Sequence, residues 1–167
     1  KKKIACAASF GASELEGTIA DRELVRCYLS GFDAVSVRET DGLRLCGEEL
    51  RRSDAVLILD PVFWPAPGEW ETLIRNADDG EKDFGLTYVL DQNKETDAVA
   101  AAAEHRFAVG KVIDMGNAQK DGEITLSPEQ WLYNIKNCRY MVTDSFHGAC
   151  FAIIFNKPYP WPRSEER

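Results

Sequence analysis

The polar run at residues 144–148 reads Asp-Ser-Phe-His-Gly and is the part of the chain best suited to chemistry. It follows an apolar strand pattern at 140–143 and precedes an apolar helix pattern at 149–155. Open α/β sheets build ligand sites where a strand delivers polar groups to a helix N-terminus, and the N–H groups there suit an anion. His147 could serve as an acid, a base or a phosphate contact, because imidazole titrates near neutral pH. Alternatively, Asp144 or Ser145 only caps the helix and His147 packs on it.

Polar residues also follow three earlier apolar strand patterns, at 3–9, 34–37 and 55–59. Ser9 starts the loop after the first of them, and neither a Gly-x-Gly-x-x-Gly nor a Walker pattern follows it, so phosphate binding by those loops is not supported. Arg38 and Glu39 follow the second strand, where a functional cation and an exposed ion pair of little energetic value are both possible interpretations. Asp60 follows the third strand and could bind a ligand or only form a turn.

The order of the elements predicts an α/β fold with parallel sheets, because strands and helices alternate and the strands are continuous apolar runs. Helices are expected at 18–30 and 40–51 between the first three strands. A second series comprises strands at 84–90, 107–113 and 140–143 and helices at 95–105 and 127–137. A stretch rich in Pro, Gly and acidic residues separates the two series and predicts a linker. The expected division is a first domain at 1–62, a linker or crossover at 63–83 and a second domain at 84–167.

Composition narrows the classes of function. The 167-residue chain carries a net charge of −8, which argues against a nucleic-acid-binding surface. No metal-ligand spacing is present, and no apolar run approaches the roughly 20 residues of a membrane span. The five cysteines lie inside apolar patterns without any Cys-x-x-Cys pair, which predicts buried, reduced thiols and a cytoplasmic protein.

Several ordered segments resemble one known family, the polysaccharide pyruvyl transferases. They are residues 2–11, 32–39, 56–61 and 131–138, and the run 142–158 with its Thr-Asp-Ser-Phe-His-Gly core and its Ile-Phe-Asn-Lys-Pro end. Each segment alone is weakly specific, but the set covers most of the chain in the family's order and spacing.

The resemblance implies two Rossmann-like domains similar to GT-B glycosyltransferases, with a cleft between them. It implies a transferase of exopolysaccharide biosynthesis that moves the pyruvyl group of phosphoenolpyruvate onto two hydroxyls of a sugar and needs no cofactor. Family members suggest that Arg38 contacts the donor's carboxylate or phosphate and that His147 is catalytic or binds phosphate. The candidate residues are the catalytic pair His147 and Asp144 and the substrate-binding set Arg38, Ser145, Gly148, Ser9 and Asp60.

The chain departs from the family in extent. Members usually begin with a further strand–helix series that carries a Gly-Ser-Asp motif, and they continue beyond the Asn-Lys-Pro segment. Both halves are therefore expected to be incomplete, with an open strand edge at residues 3–9 that favours association between copies. The isolated 167 residues are expected to show little or no turnover.

Two other functions fit the same residues. A shortened relative could act without catalysis, as a sugar-binding or partner-binding module. A GT-B-like glycosyltransferase could use the helix N-terminus at residue 145 to hold the phosphates of a nucleotide sugar, although no clear ribose-binding acid is found.

Overall fold

The computed structural model describes residues 1–74, 82–116 and 126–160. The chain divides into two compact units, Lys1–Trp64 and Pro65–Arg167. Each unit is a parallel α/β layer structure, and together their described residues hold two three-stranded sheets and six α-helices. The predicted fold class, two Rossmann-like parallel halves, is confirmed.

The first unit is a β-α-β-α-β series with sheet order β1-β2-β3. Its elements are β1 (Ile4–Ala8), α1 (Ile19–Ser30), β2 (Ala34–Val37), α2 (Thr40–Glu48) and β3 (Val56–Leu57), and a 3-10 turn, Pro61–Phe63, follows. Both strand pairs are parallel, so the carboxyl ends of all three strands share one edge. The core contains Val35, Val37 and Cys46, against which Phe10 and Leu43 pack.

The second unit has the sheet order β5-β4-β6, with every pair parallel. Its elements are α3 (Pro67–Ile74), β4 (Gly85–Tyr88), α4 (Lys94–Phe107), β5 (Val112–Asp114), α5 (Pro128–Asn137), β6 (Tyr140–Thr143) and α6 (Phe146–Ile154). After β4 the chain adds β5 on one side and then β6 on the other. The order thus reverses at β4. In such sheets the usual ligand position is the crevice between the carboxyl ends of the strands at the reversal, which are β4 and β6 here.

A local sequence signal explains where α5 begins. Ser127 accepts a hydrogen bond from the Gln130 N–H, while the Gln130 side chain accepts one from the Ser127 N–H. This reciprocal pair is the capping box that the sequence predicts there. β6 is buried at all four positions, as a strand covered on both faces should be.

One predicted boundary differs from the structure. The predicted strand at 107–113 begins only at Val112, because α4 continues to Phe107 and stacks that ring on Tyr140 at 4.8 Å between ring centroids. Ala108 then ends the helix in the left-handed conformation. The predicted linker at 63–83 contains α3, whose Trp70 ring meets the Phe151 ring edge-on at 5.0 Å. The sequence also predicts a polar loop at 116–125, which falls mostly outside the described residues.

No helix among the described residues has both the length and the apolar character needed to cross a bilayer.

The prediction that all five cysteines are buried is wrong for two of them. All five thiols are free, and Cys46, Cys138 and Cys150 are buried, but Cys6 and Cys27 are exposed. Cys6 lies on the edge strand β1, and α1 carries Cys27 on a helix without a single buried residue. Apolar neighbours along the chain therefore do not guarantee burial at a sheet edge or on an uncovered helix.

Alkylation should separate these two classes of thiol. Burial raises the pKa of the Cys138 thiol to about 11 and also raises the pKa of Cys46, so both stay protonated and shielded. We expect iodoacetamide at about pH 8 to modify Cys6 and Cys27 in the folded protein and to spare the other three, since the thiolate is the nucleophile. Peptide mass spectrometry reads the sites, and unfolded protein, in which all five should react, is the control. Equal labelling of Cys138 and Cys6 in the folded protein would contradict the burial described here.

Candidate functional site

The predicted site residues lie at the carboxyl edges of the two sheets. Ser9, Arg38 and Asp60 follow β1, β2 and β3 in the first unit, and the run 144–148 follows β6 in the second. That Arg38 and His147 serve one cleft stays a prediction.

Arg38 and Asp60 form an ion pair across the ends of β2 and β3. The distance from Arg38 Nη1 to Asp60 Oδ2 is 2.6 Å, and the Asp60 side chain is only 4% exposed. Asp60 Oδ1 accepts a hydrogen bond from the Val62 N–H at 3.0 Å and so caps the 3-10 turn. Asp60 therefore orients the Arg38 guanidinium, whose planar fork of donors suits a carboxylate or phosphate. The exposed ion pair considered for Arg38 and Glu39 is a longer contact of 3.8 Å.

We expect Asp60→Asn to destabilise the protein by about 2–3 kcal/mol, because the amide keeps the cap but removes the buried carboxylate charge that faces Arg38. Urea denaturation measures the change in the free energy of unfolding. The matched control is Asp54→Asn, which removes a 2.8 Å ion pair to Arg52 but at a carboxylate 64% exposed. That control should change stability by no more than about 1 kcal/mol. Equal losses in the two variants would show that burial of the Asp60 pair is not what matters.

The loop that begins at Ser9 is held by β2 and its following residue. Ala7 has a left-handed φ of 49°, and the register between β1 and β2 shifts at this point. The Ser36 hydroxyl compensates, accepting from the Ala7 N–H at 2.9 Å and donating to the Ala5 carbonyl at 3.1 Å. Glu39 Oε1 then accepts from the Phe10 N–H at 2.7 Å. These contacts hold the loop with the exposed Ser9 against β2, the strand that Arg38 follows.

Asp144 spans the crevice of the second unit. Its Oδ1 accepts a hydrogen bond from the Leu90 N–H at 2.7 Å, and its Oδ2 accepts one from the Asp91 N–H at 2.9 Å. The carboxylate at the end of β6 thus holds the loop that follows β4. Both oxygens are engaged with backbone donors, so the geometry favours a positioning role for Asp144 over direct proton transfer.

Ser145 caps α6, which is the structural alternative considered for it. Its hydroxyl accepts from the Gly148 N–H at 3.3 Å, and its own N–H donates to Thr143 Oγ1 at 3.0 Å. Ser145 is buried, and so are Thr143 and Gly148. A substrate contact by Ser145 or Gly148 stays a prediction.

Gly148 lets α6 approach β6 closely. A Cβ atom at this position would lie 2.5 Å from Thr143 Oγ1 and 3.1 Å from Met141 Cε. Only glycine fits such a separation, so packing alone accounts for the residue type.

His147 lies in the first turn of α6 and is exposed. Its ring meets the ring of the neighbouring Phe146 edge-on at 5.3 Å between centroids. The positive end of the helix dipole favours an anion at this position. An exposed imidazole there can contact a phosphate or carboxylate and can exchange a proton with a bound molecule.

The model of the polysaccharide pyruvyl transferase family matches residues 1–158. The chain belongs to this family. The comparisons with curated proteins and with solved structures give no match. Membership indicates a transferase, and the family name gives a polysaccharide as the acceptor.

The sequence does not predict two contacts near the candidate site of this pyruvyl transferase family member. Glu39 holds the loop after β1, and Leu90 and Asp91 supply the backbone donors for Asp144. The sequence carries a partial signal for the loop, since residues 91–93 directly follow the predicted strand at 84–90. Among the residues that the structure describes, no three His, Cys, Asp or Glu side chains converge as a metal site would require.

Proposed function

We propose that the protein is a ketal pyruvyltransferase that transfers the pyruvyl group of phosphoenolpyruvate to two hydroxyls of a sugar in a surface polysaccharide or its precursor. The family supports the class of reaction. The observation that carries the proposal is the exposed His147 at the N-terminus of α6, beside a crevice whose opposite loop Asp144 holds. This arrangement offers an anion-binding helix end and a proton donor at one place.

The reaction needs a proton, two hydroxyl groups and a stable place for phosphate. Protonation of the donor's methylene carbon produces a methyl group and an oxocarbenium-like centre at the neighbouring carbon. One sugar hydroxyl adds to that centre, the carbon–oxygen bond to phosphate breaks, and the second hydroxyl closes the ketal. Of the two hydroxyl protons, one balances the proton gained by the methyl group and the other leaves with phosphate.

Each proposed residue has one task in this scheme. His147 donates the proton to the methylene carbon or contacts the leaving phosphate, and the α6 N-terminus stabilises the phosphate charge. Arg38, oriented by Asp60, binds the donor's carboxylate through its planar fork. Asp144 positions the loop after β4. Ser9 lies at the same sheet edge as Arg38 and is proposed as a further substrate contact.

We also propose that the reaction takes place in the cytoplasm, because a reducing compartment keeps thiols such as the five free cysteines unpaired by disulfides.

Product analysis tests the proposal against a glycosyltransferase. The intact protein is incubated with phosphoenolpyruvate, with a panel of uridine-diphosphate sugars, or with both, and inorganic phosphate and uridine diphosphate are measured separately. We expect phosphate release only when donor and sugar are both present, together with a sugar product that gains the mass of a pyruvate ketal. If uridine diphosphate is released while phosphoenolpyruvate stays unchanged, the protein is a glycosyltransferase and the proposal is wrong. Binding of sugars without any reaction would favour a non-catalytic module.

A further inference from the structure

A depression lies at the carboxyl edge of the sheet in the second unit, between the ends of β4 and β5. It has a volume of about 120 Å³. Its walls include Thr87 at the end of β4 and Leu90 in the loop after it, Gln92 and Asp97 around the start of α4, and Asp114 and Gly116 at the end of β5. Asp144 contacts the same loop after β4, through the Leu90 N–H, so the depression and the crevice share one wall.

The wall formed by β5 is held in place by close backbone packing. The Met115 N–H donates to the Thr87 carbonyl at 2.8 Å, and the Gly116 N–H donates to Asp114 Oδ1 at 2.9 Å. A Cβ atom on Gly116 would lie 2.6 Å from the Val89 carbonyl oxygen, so only glycine allows the loop this close to β4. The Asp114 carboxylate is therefore fixed at the mouth of the depression.

The wall formed by α4 presents a second oriented carboxylate. Gln92 Nε2 donates to Asp97 Oδ1 at 3.2 Å. The Asn93 cap of α4 accepts from the Glu95 and Thr96 N–H groups and sets the direction of the helix that carries Asp97. Two carboxylates thus border the same small space from two different elements.

The lining selects against an anion and for a neutral ligand rich in hydroxyl groups. It contains two carboxylates, an amide and the Thr87 and Thr96 hydroxyls, but no Lys, Arg or His. Carboxylate oxygens accept hydrogen bonds from hydroxyl groups and repel phosphate. The remaining lining, with Val89, Leu90 and Ala100, is apolar and suits the C–H face of a ring.

We propose that this depression binds a ring of the sugar acceptor, with Asp97 and Asp114 accepting hydrogen bonds from its hydroxyls. The inference rests on the proposed function, which supplies the sugar. The shared wall at Leu90 brings the bound ring next to the crevice that Asp144 borders. Acceptor recognition is thereby separated from the helix end that is proposed to hold the donor's phosphate.

Direct binding to the intact protein tests the assignment. Saturation-transfer NMR and calorimetry are run with phosphoenolpyruvate and with a panel of free hexoses and their N-acetylated amino forms. We expect Asp114→Asn and Asp97→Asn each to weaken binding of the preferred sugar by about tenfold or more, since each removes a charged acceptor. Phosphoenolpyruvate should bind as it does to the wild type. The Asn side chain keeps an oxygen for the Gly116 N–H, and a thermal melt checks that the Asp114 variant folds.

The matched control is Glu95→Gln, which makes the same change of charge at an exposed position in the first turn of α4, outside the depression. It should leave sugar binding unchanged, and an equal loss there would reduce the effect to net charge and overturn the proposal. Loss of phosphoenolpyruvate binding with sugar binding intact, or no sugar binding by the wild type at all, would overturn it as well. The protein could also bind sugar in a way that depends on Asp114 and yet never bind phosphoenolpyruvate. That result would support the sugar site in the depression and contradict the proposed function.

Discussion

Replacing His147 by alanine in the intact enzyme should lower turnover about 10²–10⁴-fold, the range that a general acid or base usually contributes. Folding should be unchanged, because the side chain is exposed and carries little core packing. The measurement is the initial rate of phosphate release from phosphoenolpyruvate in the presence of an acceptor sugar, with a thermal melt of the same preparation. A fall in kcat would indicate proton transfer, whereas a rise in KM alone would indicate that His147 only binds phosphate.

The chain provides a matched control for this change in its second histidine. His105 is exposed near the C-terminal end of α4, away from the carboxyl edge of the sheet. His105→Ala should therefore turn over like the wild type. A wild-type rate in His147→Ala, or the same loss in both variants, would remove His147 from the catalytic role.

Local order could be predicted where short-range signals decide it. β6 occupies Tyr140–Thr143 as predicted, and α5 begins at the Ser-Pro-Glu-Gln signal. In both cases the residues that fix the boundary lie within a few positions of it. The position of the strands' carboxyl ends could also be predicted, because parallel strands run in the same direction. This placed Arg38 and Asp144 at the carboxyl edges of their sheets.

Contacts over long sequence separations could not be predicted from one sequence. Asp144 binds backbone donors 53 and 54 residues away, and Arg38 pairs with Asp60 across 22 residues. Each residue looked like a ligand contact or a local cap when judged by its neighbours alone. The structure shows that each carboxylate holds another part of its own unit, at a distance along the chain that its sequence neighbours do not reveal.

A short apolar run without a clear period led to one wrong prediction of secondary structure. The stretch at 107–113 reads as a buried strand, yet its first residue completes α4 and packs on Tyr140 from the helix. A short apolar run does not distinguish a strand from the end of a helix. The stretch predicted as a linker or crossover contains the helix α3, in which Trp70 makes an aromatic contact with Phe151.

Gly148→Ala should destabilise the protein by about 1–3 kcal/mol, because the added methyl group has no space. Its Cβ would lie 2.5 Å from Thr143 Oγ1 and 3.1 Å from Met141 Cε. Thr143 and Met141 are both fully buried, so neither can move aside without disturbing the core. Relief requires α6 to shift away from β6, which would also displace His147 and lower turnover. Urea denaturation and phosphate release measure the two effects.

Gly47→Ala is the control that separates this packing argument from a general effect of glycine. Gly47 also lies inside a helix, α2, but is exposed, and a Cβ there meets nothing within 4 Å. Alanine should stabilise that position by about 0.5–1 kcal/mol, since it loses less conformational freedom than glycine on folding. Opposite signs in the two variants would establish that the α6–β6 approach is what requires Gly148. If Gly148→Ala instead abolished turnover at unchanged stability, the packing account would fail, and Gly148 would return to the substrate-binding role that the sequence predicts.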